Sequence, residues 1–68
     1  MKVGNLLYYA SGDTHYRIED FESDSVIEKG IVDDYFAKHL SIDDKLDRKE
    51  VFLFYVDNNE LVVTIYDN

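Results

Sequence analysis

The chain has 68 residues, with fifteen Asp or Glu against seven Lys or Arg, a formal net charge of −8, no Cys and no Pro. That composition excludes a disulfide framework and a thiolate zinc site, and it disfavours contacts that neutralise phosphate on nucleic acid or on an anionic membrane. A chain this short holds one domain, residues 1–68, whose small core must be densely packed or completed by a second chain; six Tyr and four Phe make dense packing feasible.

In chain order, Val3, Leu6, Leu7 and Ala10 follow helical spacing, and Gly12 stands where a helix-terminating glycine would stand. A strand over residues 5–10, turning through Ser11-Gly12-Asp13, is the alternative; the spacing favours the helix. The same apolar run is too short for a secretory signal, and no apolar stretch reaches the roughly 20 residues that span a bilayer, so the expected compartment is the cytoplasm. Residues 14–19 then alternate, with Tyr16 and Ile18 on one face and His15, Arg17 and Glu19 on the other. Glu22-Ser23-Asp24 reads as a turn, and residues 26–32 run back as a second strand in which Gly30 marks a bulge or a close backbone approach.

Asp33 suits the N-cap of a short helix over residues 34–40, with Phe36 and Leu40 facing the sheet and Lys38 facing out. Ser41-Ile42-Asp43-Asp44 resembles a capping box and can start one helical turn before Leu46; residues 41–49 are otherwise a connection. Two strands follow, residues 51–56 and 61–66, around Asp57-Asn58-Asn59-Glu60. Asn tolerates positive φ, so Asn58-Asn59 fits a two-residue type I′ turn. That turn pairs Val56 with Leu61, Phe54 with Val63 and Phe52 with Ile65 on a core face, and leaves Val51, Leu53, Tyr55, Val62, Thr64 and Tyr66 on the other; a three-residue loop would invert the two faces. A hairpin apolar on both faces lies at the centre of a sheet or has a partner on its second side. The predicted fold is α+β, in the order α-β-β-α-β-β: a four-stranded, mostly antiparallel sheet with two short helices on one face.

No catalytic, cofactor-binding or metal-binding residues emerge. The paired acids have neither a cleft for a carboxylate dyad nor the spacing of a calcium loop, and His15 and His39 stand alone in sequence. The basic residues are scattered, with only Arg48 and Lys49 adjacent, which argues against direct binding of nucleic acid. What remains is charge and aromatic content. Glu19-Asp20, Asp33-Asp34 and Asp43-Asp44, with Asp47 one turn on, attract a basic surface, and Tyr suits an interface because it buries area and keeps a polar tip.

The segments Val3-Gly4-Asn5-Leu6-Leu7, Tyr16-Arg17-Ile18-Glu19-Asp20, Glu28-Lys29-Gly30, Asp47-Arg48-Lys49-Glu50-Val51 and Glu60-Leu61-Val62-Val63 resemble a diffuse set of short acidic proteins from bacteriophages and prophages of Gram-positive bacteria. That resemblance implies a helical first segment, an origin in a mobile element, a bacterial cytoplasm and a role in manipulating host machinery. The expectation is a non-enzymatic binding protein that modulates or inhibits a basic host protein, including by imitation of nucleic acid. Its contacts would be Glu19, Asp20, Asp33, Asp34, Asp43, Asp44 and Asp47, with Tyr35 as an anchor. The alternative is an assembly module that homodimerises through the outer face of the C-terminal hairpin, with Leu53, Tyr55, Val62 and Tyr66 at the contact.

Overall fold

In the computed structural model, which describes residues 1–67, the order is α1 (Val3–Tyr8), β1 (His15–Asp20), β2 (Val26–Ile31), α2 (Val32–Lys38), β3 (Val51–Asp57) and β4 (Glu60–Ile65). The sheet runs β2-β1-β4-β3. Its two hairpins are antiparallel, and the central pair β1 and β4 is parallel, so the sheet is mixed. The α+β class and the element order follow the sequence.

Tyr16, Ile18, Val63 and Ile65 project from the two central strands onto one face. There they meet Val3 and Leu7 of α1 and Val32 and Tyr35 of α2 in one buried cluster, with Leu6, Phe36, Leu46 and Val51 packed around it. Helices of six and seven residues are not stable alone, so this contact is what holds them.

Both helices begin without a side-chain cap. The exposed amides of α1 are met by carbonyls from the distant loop, Val3 N–H donating to Lys49 O at 2.9 Å and Gly4 N–H to Asp47 O at 3.1 Å. Those of α2 are met by the loop after α1, Val32 N–H donating to Thr14 O and Asp33 N–H to Gly12 O, both at 2.9 Å. Backbone carbonyls thus satisfy the orphan donors that a side chain usually takes. This shifts α2 from the expected 34–40: Asp33 lies within its first turn, where it still suits the helix dipole, and Ile31 is the capping position. The helix ends before Leu40, which is 80% exposed instead of facing the sheet. The Ser41 motif forms turns and no helix, with Asp43 N–H donating to Ser41 Oγ at 3.2 Å.

The glycines have roles other than those expected. Gly12 does not terminate α1; that helix closes at Tyr9, and no glycine has positive φ. Gly30 is not a bulge. The register shift of β1 and β2 falls at Ile18 and Glu19, and Gly30 lies opposite Tyr16 with room for a methyl group. At Gly4 a Cβ would collide with the Asp47 carboxylate, and at Gly12 with that of Asp33. Asp47 is tied down by other contacts, whereas Asp33 is exposed and free to rotate. Gly4→Ala is therefore expected to cost about 2 kcal/mol, Gly12→Ala less than about 1 kcal/mol and Gly30→Ala close to nothing, as read by urea unfolding of the three variants. An equal loss at all three positions would contradict the packing described.

The C-terminal hairpin has the expected turn, with Asn58 and Asn59 at φ 51° and 62°, and the expected pairs Val56–Leu61 and Phe54–Val63. The third pair differs. A register shift between Val51 and Leu53 sets Val51 against Ile65, and Val51 packs on the core in place of Phe52. Phe52 is released to the other face, where its ring lies 4.5 Å from Phe21 and 5.0 Å from Tyr66.

Candidate functional site

Two features of the molecule carry chemistry. The first is a polar chain beneath α2, assembled from residues that no local pattern connects. Tyr16 Oη donates to Glu28 Oε2 at 2.6 Å; the same oxygen lies 2.9 Å from His39 Nε2, and His39 Nδ1 lies 2.6 Å from Asp44 Oδ2. Asp44 Oδ1 accepts the Asp47 N–H at 2.9 Å, and Tyr35 Oη donates to Asp47 Oδ1 at 2.7 Å. The imidazole also stacks on the Tyr35 ring with centroids 4.3 Å apart.

With a carboxylate at each ring nitrogen, His39 satisfies both only as an imidazolium that donates twice. Burial pushes its pKa down, but the hydrogen bonds to Asp44 and Glu28 outweigh that and leave it above the ordinary value. Burial likewise opposes ionisation of Glu28 and Asp44. Bonds from Tyr16 and His39 to the first, and from the Asp47 amide and His39 to the second, hold both below the usual carboxylate range. Burial, then the neighbouring Glu28 or Asp47, raises the Tyr16 and Tyr35 hydroxyls well above their ordinary value, so both remain donors. Every polar atom named here is occupied by another, and among the described residues no cluster of His, Asp and Glu is arranged to hold a metal. The arrangement ties α2, β2 and the loop over residues 41–49 together.

Most of the acids expected to contact a partner are committed inside the molecule. Asp44 and Asp47 belong to this chain. Glu19 faces Arg17, whose Nε stands 2.7 Å away without hydrogen-bond alignment, while Arg17 Nη1 donates to Glu60 Oε1 at 2.8 Å. Asp20 closes the first hairpin, accepting from Ser23 Oγ at 2.7 Å and from the amides of Ser23 and Asp67, which holds its carboxyl below the usual range. Asp33, Asp34 and Asp43 are exposed. Tyr35 is fully buried, so it does not serve as a surface anchor.

The second feature is β3. Because β4 rather than β3 lies at the sheet centre, β3 is an edge strand. The helices cover the sheet beside β1 and β4 but not this margin. Phe54 and Val56, expected in the core, are instead 48% and 71% exposed on the helix-bearing side. Leu53 and Tyr55 are exposed on the other side, continuous with Phe21, Phe52 and Tyr66. Of the four residues expected at a dimer contact on the outer hairpin face, Leu53, Tyr55 and Tyr66 are exposed. Val62 is fully buried within the chain and offers nothing to a partner.

The opposite edge is different. Strand β2 carries Glu28 and Lys29 and a register irregularity, the devices that discourage strand addition. Strand β3 has no charge between Val51 and Val56.

The chain matches no family model, no curated protein and no solved structure. Among the described residues, no helix is long and apolar enough to cross a membrane.

Proposed function

We propose that the protein is a small non-enzymatic binding module that engages another protein chain through β3 and the uncovered sheet face. One observation carries this reading: Phe52, Leu53, Phe54, Tyr55 and Val56, five consecutive apolar residues, are each 40% or more exposed on a sheet edge. An apolar edge of that kind is costly to leave in water and templates strand addition. The occupied valences of His39 favour a structural role for the polar chain over a catalytic one.

The net charge of −8 supports a second reading, in which the partner is basic and is modulated or inhibited by the module. Imitation of nucleic acid by the acid set has less support, since Asp33, Asp34 and Asp43 are the exposed members of that set. The resemblance to phage and prophage proteins suggests a setting for either reading, in the cytoplasm of a bacterial host.

The test is affinity capture from lysate of the source cell with three baits: the native chain, Val56→Lys, and the triple variant Asp33→Asn, Asp34→Asn, Asp43→Asn. Partners retained by the triple variant and lost with Val56→Lys support β3 as the contact. The opposite pattern transfers the function to the acids and refutes the assignment to β3.

A further inference from the structure

We propose that the occupant of β3 is a second copy of this chain, paired antiparallel with its own β3 about Tyr55 to form one continuous eight-stranded sheet. This rests on the assignment of binding to β3 and adds the identity of what binds there.

The backbone sets the register. Asn58 and Asn59 form a two-residue turn, so Asp57 and Glu60 are the hydrogen-bonded pair next to it. Alternation then turns the N–H and C=O of Tyr55 and Leu53 toward β4 and those of Phe54 and Val56 outward. The start of the same edge is already taken: Val51 N–H donates to Met1 O at 2.7 Å, and Lys2 bridges Glu50. The open stretch is therefore residues 52–57. An antiparallel copy centred on Tyr55 pairs residues 53–57 of each chain and clears Met1 and Lys2. Phe54 of each copy then opposes Val56 of the other, and each pair exchanges two backbone hydrogen bonds.

Side chains and charges agree with that register. Phe54 and Val56 of both copies gather on the helix-bearing side, and the two Tyr55 rings become cross-strand neighbours on the other, a favourable aromatic pair. The two Asp57 carboxylates end up four residues apart along the strands, about 14 Å, beyond the Debye length of ~8 Å at physiological salt. Each is carried toward the end of the other strand, where the Met1 ammonium at 3.0 Å and Lys2 Nζ at 2.9 Å share the single carboxylate of Glu50 and leave a surplus positive charge. With exposures of 48, 40, 48, 46 and 71%, residues 52–56 offer roughly 500 Å² per copy, so the most that the two copies can bury here is about 1,000 Å², the low end for a specific interface and that of a weak, concentration-dependent dimer. Because β2 is guarded by charge, pairing through β3 closes on itself as a two-fold dimer and does not propagate.

Sedimentation equilibrium of the native chain, run from micromolar to millimolar at low and high salt, tests this. The expected result is a monomer–dimer equilibrium that tightens as salt rises, because each copy carries −8 and screening relieves their repulsion. Val56→Lys, at the most exposed apolar position of the strand, is expected to weaken dimerisation about tenfold or more while the chain stays folded; Phe54→Glu serves as a second disruption, with circular dichroism checking the fold of both. A monomer at every concentration and salt overturns self-pairing. If lysate partners are still lost with Val56→Lys, the strand then binds a different protein; if they are not, the assignment of binding to β3 falls as well. A dimer that survives both substitutions, or that weakens with salt, also overturns the proposal.

Discussion

Tyr35→Ala is expected to leave the chain unfolded at room temperature. Tyr35 is the side chain on which both halves of the stabilising structure converge. Its ring is fully buried against Tyr16 at 5.5 Å and Phe36 at 5.2 Å, and its hydroxyl donates to Asp47 at 2.7 Å. Removing a buried aromatic ring costs about 3–5 kcal/mol, and a single small core of this size seldom supplies more than that. The loss also strips Asp47 of its donor, beside the loop whose carbonyls cap α1. Tyr35→Phe keeps the ring and removes only the hydroxyl, so a folded protein weakened by about 1–2 kcal/mol is expected. Urea denaturation followed by far-ultraviolet circular dichroism checks both variants. A folded Tyr35→Ala of near-native stability would show that α2 is not held by this contact.

His39→Leu is expected to lower stability by about 2 kcal/mol at pH 6 and to remove much of the alkaline arm of the pH profile. Breaking a fully buried pair costs about 3–5 kcal/mol; the smaller figure applies here because the side chains of His39, Glu28 and Asp44 stay 12, 18 and 18% exposed. The folded chain holds the His39 pKa above 6.5, so its contribution is complete below that value and is lost as pH rises through the raised pKa of the folded state. Glu28 and Asp44 are held below 4.5 and 3.8, so theirs is complete above those values and is lost as pH falls through the lowered ones. The native chain should therefore be most stable between about pH 4.5 and 6.5, with decline on both sides. Melting temperatures from pH 3 to 9 for the two proteins supply the comparison. An unchanged alkaline limb in His39→Leu would mean that another group governs it.

The parts of this fold that are legible in the sequence rest on local rules. Alternation in residues 14–19 and the Asn58-Asn59 turn specify both hairpins, because period-two burial and positive φ are properties of neighbouring residues. The larger departures come from contacts between distant segments. Helix α2 starts early because Gly12 and Thr14 carbonyls cap it, which no window around Asp33 contains. The Tyr16–Glu28–His39–Asp44 chain joins residues up to 28 positions apart, and isolated Tyr, Glu, His and Asp carry no signal of it. The exposure of Phe54 and Val56 depends on β1 pairing in parallel with β4, which places β4 inside and β3 outside. Composition alone favours the reverse assumption, that so apolar a hairpin is central. The proposed contact lies on that same hairpin, since a strand with the makeup of a core strand sits on the rim.

Backbone amide chemical shifts followed over a hundredfold dilution test most directly whether β3 is the contact surface. Changes concentrated on residues 52–57, with Phe54 and Val56 largest and Asp33, Asp34 and Asp43 unmoved, are the predicted result. Shifts that stay constant along β3 while those three acids respond would contradict it.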